Sequence, residues 1–226
     1  GGTVLPGHPG TRRLIQTHIS SLVLAGAFAY KLRKPLALPF LDFSTPALRR
    51  DDCVEELRLN RRTAPQLYID VVPITGAIDA PRLGDDAGAA FDWALRMRRF
   101  DDRQRLDRVA ERGELDGVQI DALARTVAQF HAALPPSPAE FGTPEGVRHW
   151  AIENFDELQA GPAATTHDAR LQALRDWTEA EFGRIAPLLA ARCASGWVRE
   201  CHGDLHLANI VLVEGLPLPF DALEFN

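Results

Sequence analysis

The chain has 226 residues, enough to bury a substantial core as one two-lobed domain or two small ones. Its 46% hydrophobic and 25% charged residues fit an ordinary globular protein, and a formal net charge of −6 argues against a sequence-independent nucleic-acid binder, which needs a basic face. Three scattered cysteines, Cys53, Cys193 and Cys201, lack CxxC spacing, which argues against a disulfide framework or a zinc ribbon and fits a reducing cytoplasm.

The N-terminal pattern TRRLIQTHISSLVLAGAFAYK carries an arginine pair, an apolar stretch and an Ala-Phe-Ala that mimic an export signal. Gln16, His18, Ser20 and Ser21 interrupt the stretch, and it runs straight into YKLRKP, so it reads as strand. No run reaches the roughly 18 apolar residues that a membrane span requires. Residues 14–34 predict two strands around a turn at Ala25-Gly26-Ala27, with Pro35 and Pro39 ending the second. STPALRRDDCVEELRLNRRTA predicts a helix capped by Ser44 or Thr45, with Pro46 in its first turn. QLYIDVVPIT and AAFDWALRMRRF predict two more strands, and GAIDAPRLGDDAG between them reads as a turn. The first hundred residues are therefore expected as β-β-α-β-β.

Beyond residue 100 the pattern turns helical. DALARTVAQFHAALP aligns Leu123, Val127, Phe130-His131 and Leu134 on one face; GVRHWAIENFDELQA aligns Val147, Trp150-Ala151 and Phe155. A third helix covers HDARLQALRDWTEAEFGRIAPLLAARCA, and ALPPSPAEFGTP is a Pro-rich loop. Trp93, Trp150 and Trp177 are expected in the core, and His131 as a hydrogen-bonded core histidine. IVLV and LPFDAL predict two short strands around a turn holding Gly215. The fold class is α+β.

The chemistry concentrates in VRECHGDLHLANIVLVEG, where His202, Asp204, His206 and Asn209 could form a metal cluster, a phosphoryl-transfer loop or a polar turn. Phosphoryl transfer from ATP needs a carboxylate at the attacking hydroxyl and oxygen ligands for Mg²⁺ at the phosphates. Asp204 to Asn209 has the D-x-x-x-x-N spacing of a kinase catalytic loop, with His202 two residues ahead. Asp221, after the second strand, stands where a second metal carboxylate is needed, and Asn209 and Asp221 are the hard oxygen donors that Mg²⁺ prefers.

HGDLHLAN with FDALEFN resembles the HGD-x-H-x-x-N motif of aminoglycoside-phosphotransferase-like kinases. THIS, YKLRKP, LDFST, EELRLNRR and MRRF further resemble a subgroup of bacterial proteins in which this domain is joined to a C-terminal P-loop ATPase domain. The resemblance implies a bilobal protein-kinase-like fold: an N-terminal nucleotide-binding lobe over 1–100 and a helical lobe over 101–226. It implies that Lys31 pairs the nucleotide phosphates and that Glu56, or its neighbour Glu55, orients Lys31. Met97, Arg98 and Phe100 would form the hinge and adenine wall, Asp204 would orient the hydroxyl, and His202 would brace the loop. Asn209 and Asp221 would hold Mg²⁺. Two departures stand out: the turn before Lys31, expected to cover the phosphates, holds only Gly26, and DAL replaces DFG. Relatives continue past Asn226 with helices that complete the acceptor site, so the chain reads as C-terminally truncated; it contains no G-x-x-x-x-G-K-[ST].

The function expected is Mg²⁺-ATP-dependent phosphoryl transfer to a hydroxyl of an unidentified, small-molecule acceptor. The alternatives are a nucleotide-binding pseudokinase regulating a linked ATPase and, with less support, a metal-dependent phosphoesterase suggested by GDLH.

Overall fold

The computed structural model describes residues 13–38, 41–84, 90–160 and 164–223. Pro39 and much of the Gly-Asp stretch before Phe91 therefore lie outside the described residues. The chain groups into two compact units, residues 1–130 with 202–226, and residues 131–201.

The first unit is built on an antiparallel sheet. β1 (Arg13–Gln16), β2 (Ser20–Ala25) and β3 (Phe28–Arg33) form a meander, joined by β6 (Tyr68–Ala77), β7 (Ala80–Leu83) and β8 (Asp92–Arg98) in the order β1-β2-β3-β8-β6-β7. A two-residue ladder links β4 (Ala37–Leu38) to β5 (Leu41–Asp42). The alternation of β3 sends Ala29, Lys31 and Arg33 to one face and Tyr30 and Leu32 to the other. Tyr30 and Leu32 pack with Val72, Ile74 and Ala94.

The stretch read as a turn between the third and fourth expected strands contains a strand, β7. Pro81 and Gly84 look like breakers in sequence, yet β7 is an edge strand, where a proline costs no ladder bond, and Pro81 sits opposite Gly76.

Helix α1 (Pro46–Asn60) starts where expected: the Thr45 hydroxyl accepts from the Leu48 N–H at 3.3 Å, and Pro46 opens the first turn. Its inward stripe is unusual in being mostly polar, with Arg49, Cys53, Glu56 and Asn60 buried beside Leu59. Arg49 is satisfied by Asp92 and by the Phe43 carbonyl, both at 2.8 Å.

α2 (Leu106–Glu111) and α3 (Gly117–Ala133) follow. Leu106 and Val109 are buried against Ile210 and Leu212 of the late hairpin, β9 (Ile210–Val213) and β10 (Leu216–Pro219). Glu214 and Gly215 take φ of 53° and 80°, the left-handed pair that a tight hairpin turn demands. Val211 then joins Cys53, Leu67, Tyr68 and Leu95 in one core, so α1, the sheet and the hairpin share a single apolar seam.

In the second unit, α4 (Pro144–Ala160) packs on α5 (Ala164–Ala194), with Ile152 and Phe155 buried and Arg175 paired to Asp156 at 2.6 Å. Trp150 and Trp177 are not core: they are 64% and 63% exposed. On α4 the inward stripe runs through Ile152 and Phe155, which rotates Trp150 outward. Among the described residues no helix is long and apolar enough to cross a membrane.

Candidate active site

All the residues singled out in the sequence for chemistry fall in the first unit. Lys31 projects from the α1-facing side of β3, and its Nζ donates to Glu56 Oε1 and to Asp221 Oδ1, each at 2.8 Å. Glu56 is the partner from the helix; Glu55 instead accepts from Arg58 Nε at 2.8 Å on the surface. The difference follows from helix geometry, since Glu56 continues the inward stripe of Cys53 and Asn60 and Glu55 does not. The second oxygen of Glu56 accepts from Arg33 Nη2 at 2.6 Å, and Arg33 Nε is paired with Asp52.

Asp221 follows β10 with φ of 61°, a left-handed conformation that short polar side chains tolerate better than most. Two residues overlooked in the sequence fix that turn. The Asp221 N–H donates to the Tyr68 hydroxyl at 3.1 Å, and the Ala222 N–H donates to Asn60 Oδ1 at 2.8 Å. Asn60 is itself anchored through Nδ2 to the Glu56 carbonyl at 3.0 Å. The signal was faint, because an asparagine at a helix end and a tyrosine at a strand start are both common.

The loop before β9 is held from both sides. His202, 2% exposed, places Nε2 at 3.0 Å from the Phe220 carbonyl, and its own carbonyl accepts from the Leu223 N–H at 3.0 Å. Gly203 has φ of 81°, which favours glycine, and a Cβ there would press on Leu223 Cβ at 3.1 Å. The Asn209 carbonyl accepts from the Phe220 N–H at 2.9 Å, which draws Asn209 to the strand that ends in Asp221. Asn209 Nδ2 donates to the backbone carbonyl and to Oδ2 of Asp204, both at 3.0 Å. With its nitrogen turned to Asp204, the atom Asn209 can offer a cation is Oδ1. His206 Nδ1 accepts from the Ala208 N–H at 3.2 Å, leaving Nε2 toward Asp204 Oδ2 at 3.5 Å.

Electrostatics set the charge states. The Lys31 ammonium holds the Asp221 carboxyl below its ordinary range, with burial opposing. Burial pushes Asp52 upward against the pull of Arg33, and lifts the Cys53 thiol to about 12, which leaves it inert. Burial lowers His202, favouring a neutral ring.

The expected hinge residues lie at the end of β8. Met97 pairs with Ala29 on one side and Tyr68 on the other. The Arg98 N–H donates to the Leu67 carbonyl at 2.7 Å and the Arg99 N–H to the Ala27 carbonyl at 2.9 Å. Phe100 meets Phe220 edge to face at 5.1 Å between centroids. The Ala27–Arg99 bond also fixes the position of the turn before Lys31. The Gly26 turn lies at the Arg99 end of the sheet, whereas the turn at Thr17–Ile19 meets the other end of β3, through the Lys34 N–H on the Ile19 carbonyl at 2.9 Å. The antiparallel meander forces that result, because two successive turns must lie at opposite ends of β2.

Asn209 Oδ1 and the Asp221 carboxylate are hard oxygen donors on adjoining strand ends, which suits a magnesium ion. Among the described residues no group of three or more His, Cys, Asp or Glu forms a metal site. Two protein oxygens of this kind suit an ion that takes the rest of its shell from water and phosphate oxygens.

The model of the phosphotransferase enzyme family matches residues 40–218, a segment that contains Glu56, His202, Asp204 and Asn209. Lys31 and Asp221 fall just outside it, and the contacts above tie them to it. Uncharacterized proteins of Mycobacterium tuberculosis (strain H37Rv) and Mycobacterium bovis are 30% identical over 216 residues, covering 93% of this chain and 41% of theirs. The chain thus spans less than half the length of these curated relatives. No solved structure gives a significant match.

Proposed function

The chain belongs to the phosphotransferase enzyme family, and from that premise we propose a kinase that moves the γ-phosphoryl group of ATP to a hydroxyl of a small-molecule acceptor in the cytoplasm. The reading takes the fold as bilobal and kinase-like, with the nucleotide between an N-terminal lobe over 1–100 and a helical lobe beginning at 101.

The observation that carries it is Lys31 bridging Glu56 and Asp221 at 2.8 Å each. A buried helix glutamate, a strand lysine and a carboxylate after the catalytic hairpin meet only if residues 190 positions apart fold onto one site. In this reading Lys31 binds the phosphates and Glu56 keeps its ammonium aimed at them. Asp204 orients the acceptor hydroxyl and takes its proton as the oxygen attacks the γ-phosphorus and the bond to the β-phosphate oxygen breaks, releasing ADP. Asn209 Oδ1 and Asp221 would hold Mg²⁺, which supplies charge neutralisation at the phosphates. His202 braces the loop, Met97, Arg98 and Phe100 wall the base, and the Thr17–Ile19 turn, rather than Gly26, covers the phosphates.

Mg²⁺-dependent thermal stabilisation by ATP, absent in Asp221→Ala, is the expected result; no such stabilisation of the wild type would sink the reading. The curated relatives are more than twice as long as their matched part, which favours a second arrangement worth separating. The domain could serve as a nucleotide-binding regulator of a further domain, such as a P-loop ATPase. Stabilisation without turnover on any hydroxyl acceptor would point there.

A further inference from the structure

A lysine–glutamate pair needs one ammonium and one carboxylate oxygen, yet the α1-facing side of β3 carries a second cation. Arg33 lies two residues after Lys31, so both project from the same face, and α1 answers with two acids one turn apart, Asp52 and Glu56. The charges alternate without a break: Asp52, Arg33, Glu56, Lys31, Asp221. The Arg33 and Glu56 side chains are 1% and 0% exposed, and the guanidinium lies 5.3 Å from the centroid of the Phe43 ring, which closes it from water. A buried guanidinium is tolerated only where its partners are in place. Here the two acids of α1 that face β3 are among those partners.

We propose that Arg33 is a positioning residue for Lys31. With Oε2 of Glu56 held by Arg33, rotation of the carboxylate is blocked and Oε1 stays aimed at Lys31. Through Asp52 the same guanidinium ties the preceding turn of α1 to β3. The lysine is thereby set toward Asp221 before any nucleotide arrives. A lysine at position 33 does not reproduce this, because its compact ammonium lacks the planar fork that puts Nε on Asp52 and a separate Nη2 on Glu56. The consequence for phosphate binding rests on the kinase reading; the effect on Lys31 itself does not.

The test compares wild type with Arg33→Lys, Arg33→Met and Asp52→Asn, using two measurements. The first is the rate of Lys31 acylation by an amine-reactive ester without nucleotide, read by mass spectrometry against Lys34 in the same molecule. Loss of the Glu56 hold frees the Lys31 side chain for attack, so Lys31 in Arg33→Lys reacts about tenfold faster relative to Lys34, the scale of one charge-assisted hydrogen bond. The second is the Kd for Mg²⁺-ATP, expected to weaken by about the same factor in that variant. Asp52→Asn, which leaves the Arg33–Glu56 contact, gives a smaller change in both. A Lys31:Lys34 ratio unchanged in Arg33→Lys overturns the proposal, even if the melting temperature falls, because Arg33 is then only a buried strut. If Arg33→Met fails to fold, Arg33→Lys and Asp52→Asn decide. A raised ratio in a protein whose wild type binds no Mg²⁺-ATP supports the positioning role while rejecting the kinase reading.

Discussion

The hydroxyl of Tyr68 accepts the backbone N–H of Asp221 at 3.1 Å, joining the first residue of β6 to the turn that presents the carboxylate proposed to hold Mg²⁺. Tyr68 is 2% exposed, so no bulk water stands ready to replace it. Tyr68→Phe keeps the ring and its packing but leaves that N–H without its acceptor. Chemical denaturation should show a loss of about 1–3 kcal/mol. Titration should show weaker Mg²⁺-ATP binding, because the left-handed turn at Asp221 loses one of its two anchors. Unchanged stability and affinity would mean that the turn is held elsewhere.

Asp204 is held on the loop by Asn209, whose Nδ2 donates to its carboxylate at 3.0 Å. Asp204→Asn should leave the Kd for Mg²⁺-ATP near wild type while lowering single-turnover phosphoryl transfer by about 10²–10⁴-fold, the range of a lost general base. A matching loss in nucleotide affinity would move Asp204 from the hydroxyl to the phosphates.

Asp221→Asn separates charge from conformation. Asparagine tolerates positive φ, so the turn at 61° should survive, and the melting temperature should fall only by what the charge pairing with Lys31 contributes. The neutral amide should nonetheless abolish the Mg²⁺-dependent part of ATP stabilisation. Asp221→Ala adds backbone strain to that loss and should melt lower than Asp221→Asn in a parallel scan.

His202 gives a pH signature. Burial lowers its pKa below the ordinary 6.5, so the folded state keeps the ring neutral at a pH where the unfolded chain already binds a proton. The stability associated with the neutral ring is complete above about 6.5 and is lost as pH falls through the depressed folded value. Wild-type stability should decline as pH is lowered from 7 through this window. In His202→Gln, whose amide can still donate to the Phe220 carbonyl, the slope should be shallower. Equal slopes in the two proteins would exclude His202 as the source.

Much of this fold can be read from residue order. Alternation in FAYKLR places Lys31 and Arg33 on one face, and Thr45-Pro46 marks the start of α1 within a residue. Turn chemistry at Glu214-Gly215 locates the late hairpin, and D-x-x-x-x-N locates the loop before it. Polar burial is what hides the rest. Hydrophobic periodicity is blind to an inward stripe made of Arg49, Glu56 and Asn60, so Arg33, Asp52 and Asn60 pass for surface charges and caps. The choice between Glu55 and Glu56 was in principle available from the spacing of Cys53. Trp150 and Trp177 err in the opposite direction, since a large apolar side chain marks a face without saying whether it is covered.

The acceptors that Asn60 and Tyr68 offer to residues 222 and 221 also set an order of assembly. Their donors are translated 162 and 153 residues later. A nascent chain that has emitted the sheet and α1 can form the Arg33–Glu56–Lys31 contacts at once, since they span at most 25 positions. It must wait for the hairpin before the polar end of α1 is satisfied. High sequence separation slows that last closure. Until then Cys53, Tyr68 and Leu95 are short of the Val211 side chain that completes their packing. A nascent chain that has not yet released the hairpin of residues 210–219 and the turn after it should therefore protect α1 from protease less than the finished fold does.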